Sequence, residues 1–236
     1  MKLDQHFLTD GEIAKSAVAL CDIKKDDTVV EIGPGNGELT QFIPKCKLIL
    51  IEKDETLAKK LKKKYERVIS GSGVDEIKNI KFDFLISSVP YAISEPLIRE
   101  LFLHEFKKAV LVLPANFVDG LECKKTSLSF LANEFLEIKR ISFVGRGKFI
   151  PRPKVDSYLI EATRKKACQI LVNLYTQQDK KVKNALREAI VQAGGKTKTQ
   201  AREMVEKMKI TENTLNKNVR MLSYHELDYI KEVTKQ

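Results

Sequence analysis

Residues 29–40 read V-V-E-I-G-P-G-N-G-E-L-T, and they carry the first chemistry the chain offers. The β-branched run Val29, Val30 and Ile32 predicts a buried strand; Gly33, Gly35 and Gly37 follow at once, ahead of a pattern that reads as a helix start. A strand ending in a bare loop under a helix N-terminus lets a ligand touch backbone, because a Cβ would block the approach and such turns ask for positive φ. The next apolar run, residues 48–51, ends in Glu52, whose carboxylate would sit beside the loop and accept hydrogen bonds from two ribose hydroxyls. Loop and acid together predict a nucleoside pocket. The spacing is G-x-G-x-G, with Glu38 where a dinucleotide fingerprint needs its third glycine, which disfavours a nicotinamide-dependent reductase.

Glu31 ahead of the glycines and Glu52 about 15 residues behind them form the pattern of S-adenosylmethionine methyltransferases. A second stretch, S-S-V-P-Y at 87–91, follows an apolar run (Phe82, Phe84, Leu85, Ile86) and resembles the Asn-Leu-Pro-Tyr motif of amino methyltransferases. The chemistry explains the motif. An exocyclic adenine N6 is a poor nucleophile because its lone pair is delocalised into the ring. Two acceptors, the side-chain oxygen of Ser88 and a backbone carbonyl whose direction Pro90 fixes, draw on its hydrogens and favour a pyramidal nitrogen. Tyr91 then stacks on the base, which has to leave its own helix or come from a loop.

Two further stretches narrow the family. Q-H-F-L-T-D at 5–10, the glycine loop, and F-I-P-R-P-K-V-D-S at 149–157 resemble the KsgA family of small-subunit ribosomal RNA adenine dimethyltransferases, and the resemblance runs nearly the whole length. It implies transfer of methyl groups from S-adenosylmethionine to N6 of adjacent adenines near the 3' end of small-subunit rRNA, on the immature 30S particle, during ribosome biogenesis. It assigns His6, Leu8, Gly33, Gly35, Glu52, Ser72 and Ser88 to the cofactor. Ser88, Pro90, Tyr91 and Phe149 go to the target base, with Phe149 and Tyr91 each contributing a stacked face worth about 1–3 kcal/mol.

Four positions depart from the family pattern: His6 and Ser88 each stand where it has Asn, Ser72 where it has the Asp of a Gly-Asp-Ala turn, and Pro114 where it has Gln. Ser72 keeps one acceptor without charge, which should lower cofactor affinity by about 1–2 kcal/mol. An alternative reading takes the four together as marks of a catalytically degenerate assembly factor that binds immature small subunits without methylating them.

The elements that must position these residues follow from periodicity. Residues 11–21 predict a helix capped by Asp10; strands are predicted at 68–70 and 109–113, a helix over 93–102 with Ser94 as its cap, and a strand from Val155 onward. The lysines at 59–64 interleave with Leu57 and Leu61 on a short helix and read as a solvated face. Together these predict a Rossmann-like α/β methyltransferase fold over residues 1–164.

After Arg164 the pattern turns helical, at 167–176, 180–191, 199–207 and 224–233, which predicts a small all-helical second domain over 165–236. That segment holds fifteen Lys/Arg against eight Asp/Glu, a net +7 of the chain's +10. A concentrated basic segment suggests a polyanion partner, with Arg187, Lys196, Lys198 and Arg202 as contacts to duplex RNA through phosphates and 2'-hydroxyls. Cys21, Cys46, Cys123 and Cys168 are scattered without C-x-x-C spacing and predict thiols rather than a metal site. No run approaches the roughly 18 apolar residues of a membrane span, and the N-terminus shows no apolar signal core. The expectation is a cytoplasmic protein without metal, monomeric in the simplest case.

Overall fold

The structure is a computed structural model that describes residues 5–234; the part of the expected N-terminal amphipathic element at 1–4 lies outside them. The chain forms two compact units, one of residues 1–122 with 136–164, the other of 123–135 with 165–236.

The first unit is built on nine strands: β1 (Phe7–Leu8), β2 (Thr28–Ile32), β3 (Lys47–Glu52), β4 (Val68–Ser70), β5 (Phe84–Ser88), β6 (Lys108–Pro114), β7 (Leu136–Val144), β8 (Phe149–Ile150) and β9 (Ser157–Arg164). Seven of them make one sheet in the order β4-β3-β2-β5-β6-β9-β7, with β1 and β8 as a separate antiparallel ribbon. From β4 to β6 every pair is parallel, whereas β9 runs antiparallel to both β6 and β7. The central strands are near-continuous apolar runs because helices cover both faces; in β6 only Lys108 is less than fully buried. Helices Glu55–Leu61, Gly73–Ile77 and Ser94–Leu101 make the crossovers. The chain builds outward from β2 to β4, then returns to lay β5 on the other side of β2. The resulting order reversal opens a crevice at the carboxyl ends of β2 and β5, where ligands bind in open α/β sheets.

Helix Gly11–Ala19 begins as the sequence predicts, with the Asp10 carboxylate accepting from Glu12 N and Ile13 N. Two local expectations are corrected. Ser94 is the first residue of its helix rather than the cap; Ile93 takes the boundary position, and the buried Ser94 hydroxyl has no partner among the described residues. The sequence reading also passes over β7, L-E-I-K-R-I-S-F-V, because an edge strand with a bulge between Arg140 and Ser142 shows no clean alternation. It is held instead by Arg140, whose guanidinium bonds Glu122 at 2.9 and 2.6 Å and lies 4.6 Å from the Tyr158 ring.

The second unit holds helices Ser127–Phe135, Gln169–Tyr175, Val182–Gln192, Lys198–Lys207, Glu212–Asn216 and Tyr224–Thr234. A boundary at 164 alone leaves Ser127–Phe135 in the first domain, and the structure packs it with the second. Phe130 meets Tyr224 edge-on at 5.4 Å and Phe135 lies 5.8 Å from Tyr175, so the apolar face of this helix finds its partners more than 30 residues downstream. Gly194 and Gly195, at φ +103 and +78, make the turn between two of the helices. No helix among the described residues is long and apolar enough to cross a membrane.

Candidate active site

The cleft is assembled from the carboxyl ends of β2, β3 and β5, with the β1–β8 ribbon contributing rings. Gly33 and Gly35 take φ values of +66 and +62, as bare turns require, and Gly33 N donates to Ile51 O at 2.9 Å. Glu52, 5% exposed, receives Gly35 N on Oε2 at 3.1 Å and Asp54 N on Oε1 at 2.9 Å. Burial raises its pKa while those backbone donors pull the other way. Each carboxylate oxygen has a second lone pair, so Glu52 retains the capacity to accept from a diol.

The helix start expected after the glycines is corrected. Residues 35–39 are turns, followed by a single 3-10 turn at Thr40–Phe42. Glu38 folds back to accept from Asn36 N (3.1 Å) and the Asn36 amide (3.0 Å), and Pro44 ends the segment. A ligand here meets separate N–H groups rather than a helix dipole. Beneath the loop Glu31 is fully buried and accepts from Thr40 Oγ1 at 2.6 Å; burial pushes its pKa up to about 8. Burial favours its neutral, protonated form.

On the opposite wall, Val89 N donates to Val112 O at 3.1 Å and Pro90 O accepts from Ile93 N at 3.0 Å, which fixes the backbone of the S-V-P-Y turn. Among the described residues the Ser88 hydroxyl has no hydrogen-bond partner. The Tyr91 hydroxyl sits 2.7 Å from Ser157 Oγ, and its ring lies 5.6 Å from that of His6. His6 in turn donates from Nδ1 to Pro151 O at 2.7 Å. Phe149 is buried, paired across the ribbon with Leu8.

One cleft brings together His6, Gly33, Gly35, Glu52, Ser88, Pro90, Tyr91 and Phe149. Two predicted residues are not brought there. Leu8 points its side chain into the apolar core, and its neighbour Phe7 lines the cleft instead, as alternation along a strand demands. Ser72 precedes helix Gly73–Ile77 away from the cavity lining, bonded to Asp75, which also pairs with Lys78 at 3.1 Å.

Two contributors went unread in the sequence. Phe7 covers the glycine loop so closely that a Cβ on Gly35 would meet its ring at 2.8 Å. Ser87 donates to Ile32 O at 2.6 Å and clasps the ends of β5 and β2 at the crevice. The alternation of F-L could have pointed to Phe7; nothing local separates Ser87 from Ser88.

In the second unit Arg187, Lys198 and Arg202 line a groove with Lys180, while Lys196 lies in the preceding turn. Their charge is partly met within the unit: Arg202 pairs with Glu206 at 3.0 Å and Lys180 with Glu188 at 2.5 Å. Among the described residues no group of His, Cys, Asp and Glu gathers in a metal-binding arrangement, and the four cysteines are free thiols.

A glycine loop and buried acid at the switch point of this strand order define the Rossmann-like fold of S-adenosylmethionine-dependent methyltransferases. Two solved structures share it across the chain: a dimethyladenosine transferase from Plasmodium falciparum (TM-score 0.66, 24% identity, 98% of each chain covered) and the 23S rRNA methyltransferase ErmE (TM-score 0.60, 17% identity, 98% of this chain and 100% of that one). The family follows from sequence: the ribosomal RNA adenine dimethylase model matches residues 1–233, and the chain belongs to that family.

Similar proteins include those named probable ribosomal RNA small subunit methyltransferase A in Thermococcus sibiricus (34% identical over 169 residues) and Pyrococcus furiosus (35% over 170), each match covering 67% of this chain. The chain spans 62% of the length of both relatives. The protein of the same type in Thermotoga maritima is 32% identical over 204 residues, 78% of this chain and 73% of that one.

Proposed function

We propose that this protein uses S-adenosylmethionine to dimethylate N6 of adjacent adenines near the 3' end of small-subunit rRNA. One observation carries the reading: a single cavity joins a wall suited to a ribose, Gly33, Gly35 and Glu52, to a wall suited to a purine amine, Ser88, Pro90, Tyr91 and Phe149. The donor set fits the cofactor, since a buried carboxylate with unfilled acceptor capacity faces a loop whose glycines leave backbone exposed. Once bound there, S-adenosylmethionine supplies a sulfonium methyl as the electrophile.

The chain's own residues do the rest. Glu52 holds the ribose diol and Gly35 N keeps that carboxylate aimed. The Ser88 hydroxyl accepts one amine hydrogen. Pro90 O accepts from Ile93 N within the turn, and Val89 O, directed by the following proline, is the second acceptor. Holding both hydrogens in the cleft localises the nitrogen lone pair and aligns it for in-line attack. Tyr91, anchored through Ser157, and the buried Phe149 present ring faces to the extruded base. Within this reading the partner is the immature small subunit, the acting species a monomer and the location the cytoplasm.

Isothermal titration with S-adenosylmethionine, followed by mass spectrometry of small-subunit rRNA from cells with and without the gene, tests it. The expected result is cofactor binding, with the dimethyladenines lost on deletion. Absence of cofactor binding overturns the reading, and binding with the dimethyl signal intact on deletion shifts it to an assembly role.

A further inference from the structure

A second groove, of about 310 Å³, opens beside the glycine loop on the first unit; Gly35 lines both it and the cofactor cavity. Leu57 and Leu61 contribute its apolar surface, and Lys60, Lys63 and Lys64 its charge. All three lysines are exposed, and among the described residues none has a carboxylate within ion-pair distance. Two acids of the neighbourhood have hydrogen-bond partners of their own, although Asp54 also attracts Lys60 electrostatically. Glu38 takes the two Asn36 donors, and Asp54 caps helix Glu55–Leu61 through Thr56 N (2.8 Å) and Leu57 N (3.0 Å).

The contrast with the groove of the second unit is direct, for there Glu188 and Glu206 already meet much of the positive charge. Folding does not require the lysine cluster. A helix C-terminus favours a cation, which accounts for Lys59 and Lys60, whereas Lys63 and Lys64 lie beyond the helix end at Leu61. Three exposed ammonium groups around a groove that shares Gly35 with the reaction cavity make an electrostatic footprint for a polyanion.

We propose that this groove seats the phosphate backbone of the RNA substrate and is a larger source of its salt-dependent affinity than the basic helices 182–192 and 198–207. The inference rests on the proposed rRNA substrate. Lysines placed here position the strand and read no bases, so their effect is uniform across sequences. The binding step displaces counterions from the RNA, one for each phosphate neutralised.

The test uses the full chain and purified immature small subunits across a salt titration. The Lys60→Gln/Lys63→Gln/Lys64→Gln variant is compared with the corresponding triple arginine variant and with Arg187→Gln/Lys198→Gln/Arg202→Gln, and calorimetry with S-adenosylmethionine reports the integrity of the first unit. The slope of log affinity against log salt should fall by about 2 in the first glutamine variant, by less than 1 in the Arg187 set, and not at all in the arginine variant. Affinity of the first variant at low salt should drop at least tenfold, with cofactor affinity unchanged.

An unchanged slope in the first variant while wild type binds overturns this proposal alone. Failure of wild type to bind RNA at all overturns it together with the proposed substrate. Loss of cofactor binding in both the glutamine and arginine variants overturns it as well, because the lysines then serve the fold.

Discussion

The two walls of the cleft are made of different materials. On the β2–β3 side two buried carboxyl groups, Glu31 and Glu52, meet hydroxyl and backbone donors, and almost every polar atom has a partner in place. On the β5–β8 side there is no carboxylate: a hydroxyl without a partner, a directed turn and aromatic faces supply the surface. The first wall is preorganised by hydrogen bonds in a low-dielectric setting, where leaving one unmade is costly. The second is preorganised by packing and by a few anchors, among them Tyr91 to Ser157 and His6 to Pro151 O. Binding of the nucleoside and activation of the amine should therefore be separable by mutation.

The sharpest way to break the comparison is Glu52→Ala. It removes the ribose acceptor and orphans Gly35 N and Asp54 N, so cofactor affinity should fall by about 100-fold or more, at roughly 1.5–3 kcal/mol per charge-assisted hydrogen bond. Calorimetry measures the loss, and RNA affinity should stay within a few-fold of wild type; collapse of both would mean the walls are not independent.

Tyr91→Ala comes next. Loss of one stacked face should lower kcat by roughly 10- to 100-fold with cofactor affinity nearly unmoved, while Tyr91→Phe, which keeps the ring and loses the bond to Ser157, should fall between it and wild type. Equal losses in kcat and cofactor affinity would erase the distinction between the walls.

The remaining test reads stability rather than binding or turnover. Glu31 holds its proton up to about pH 8 when folded and only to about its ordinary 4.5 when unfolded. The folded state binds the extra proton between those values, so the group's contribution to stability is full below pH 4.5, falls as pH rises and is gone above about 8, at up to about 1.4 kcal/mol per pH unit. Urea midpoints of Glu31→Gln at pH 5 and 8 should differ less than those of wild type. An equal difference would show that Glu31 is not the buried acid titrating there.

Where a residue's role depends on its immediate neighbours, the sequence was enough. The positive-φ glycine loop after a β-branched run, the end of the next strand at Glu52 and the Asp10 cap each declare themselves within a few positions, because backbone conformation and strand burial are local constraints, whereas the site role expected of Phe149 came from the family resemblance. The sheet's parallel core was equally legible from its unbroken apolar runs.

Tertiary structure alone decided the rest. Leu8 and Phe7 exchanged roles because the β1–β8 pairing, between residues more than 140 apart, sets which of the two faces the cleft. Ser127–Phe135 joined the helical unit because its apolar face found Tyr175 and Tyr224. The glycine loop closed without a helix because Glu38 satisfied Asn36 first. Likewise the basic segment at the C-terminus is rich in charge by composition, yet in its groove Lys180, Arg187 and Arg202 meet carboxylates brought beside them by folding, while Lys63 and Lys64 after β3 are exposed beside the glycine loop. Composition counts charges; only the fold determines which are neutralised, since Coulomb attraction depends on separation and solvent exposure rather than on order along the chain.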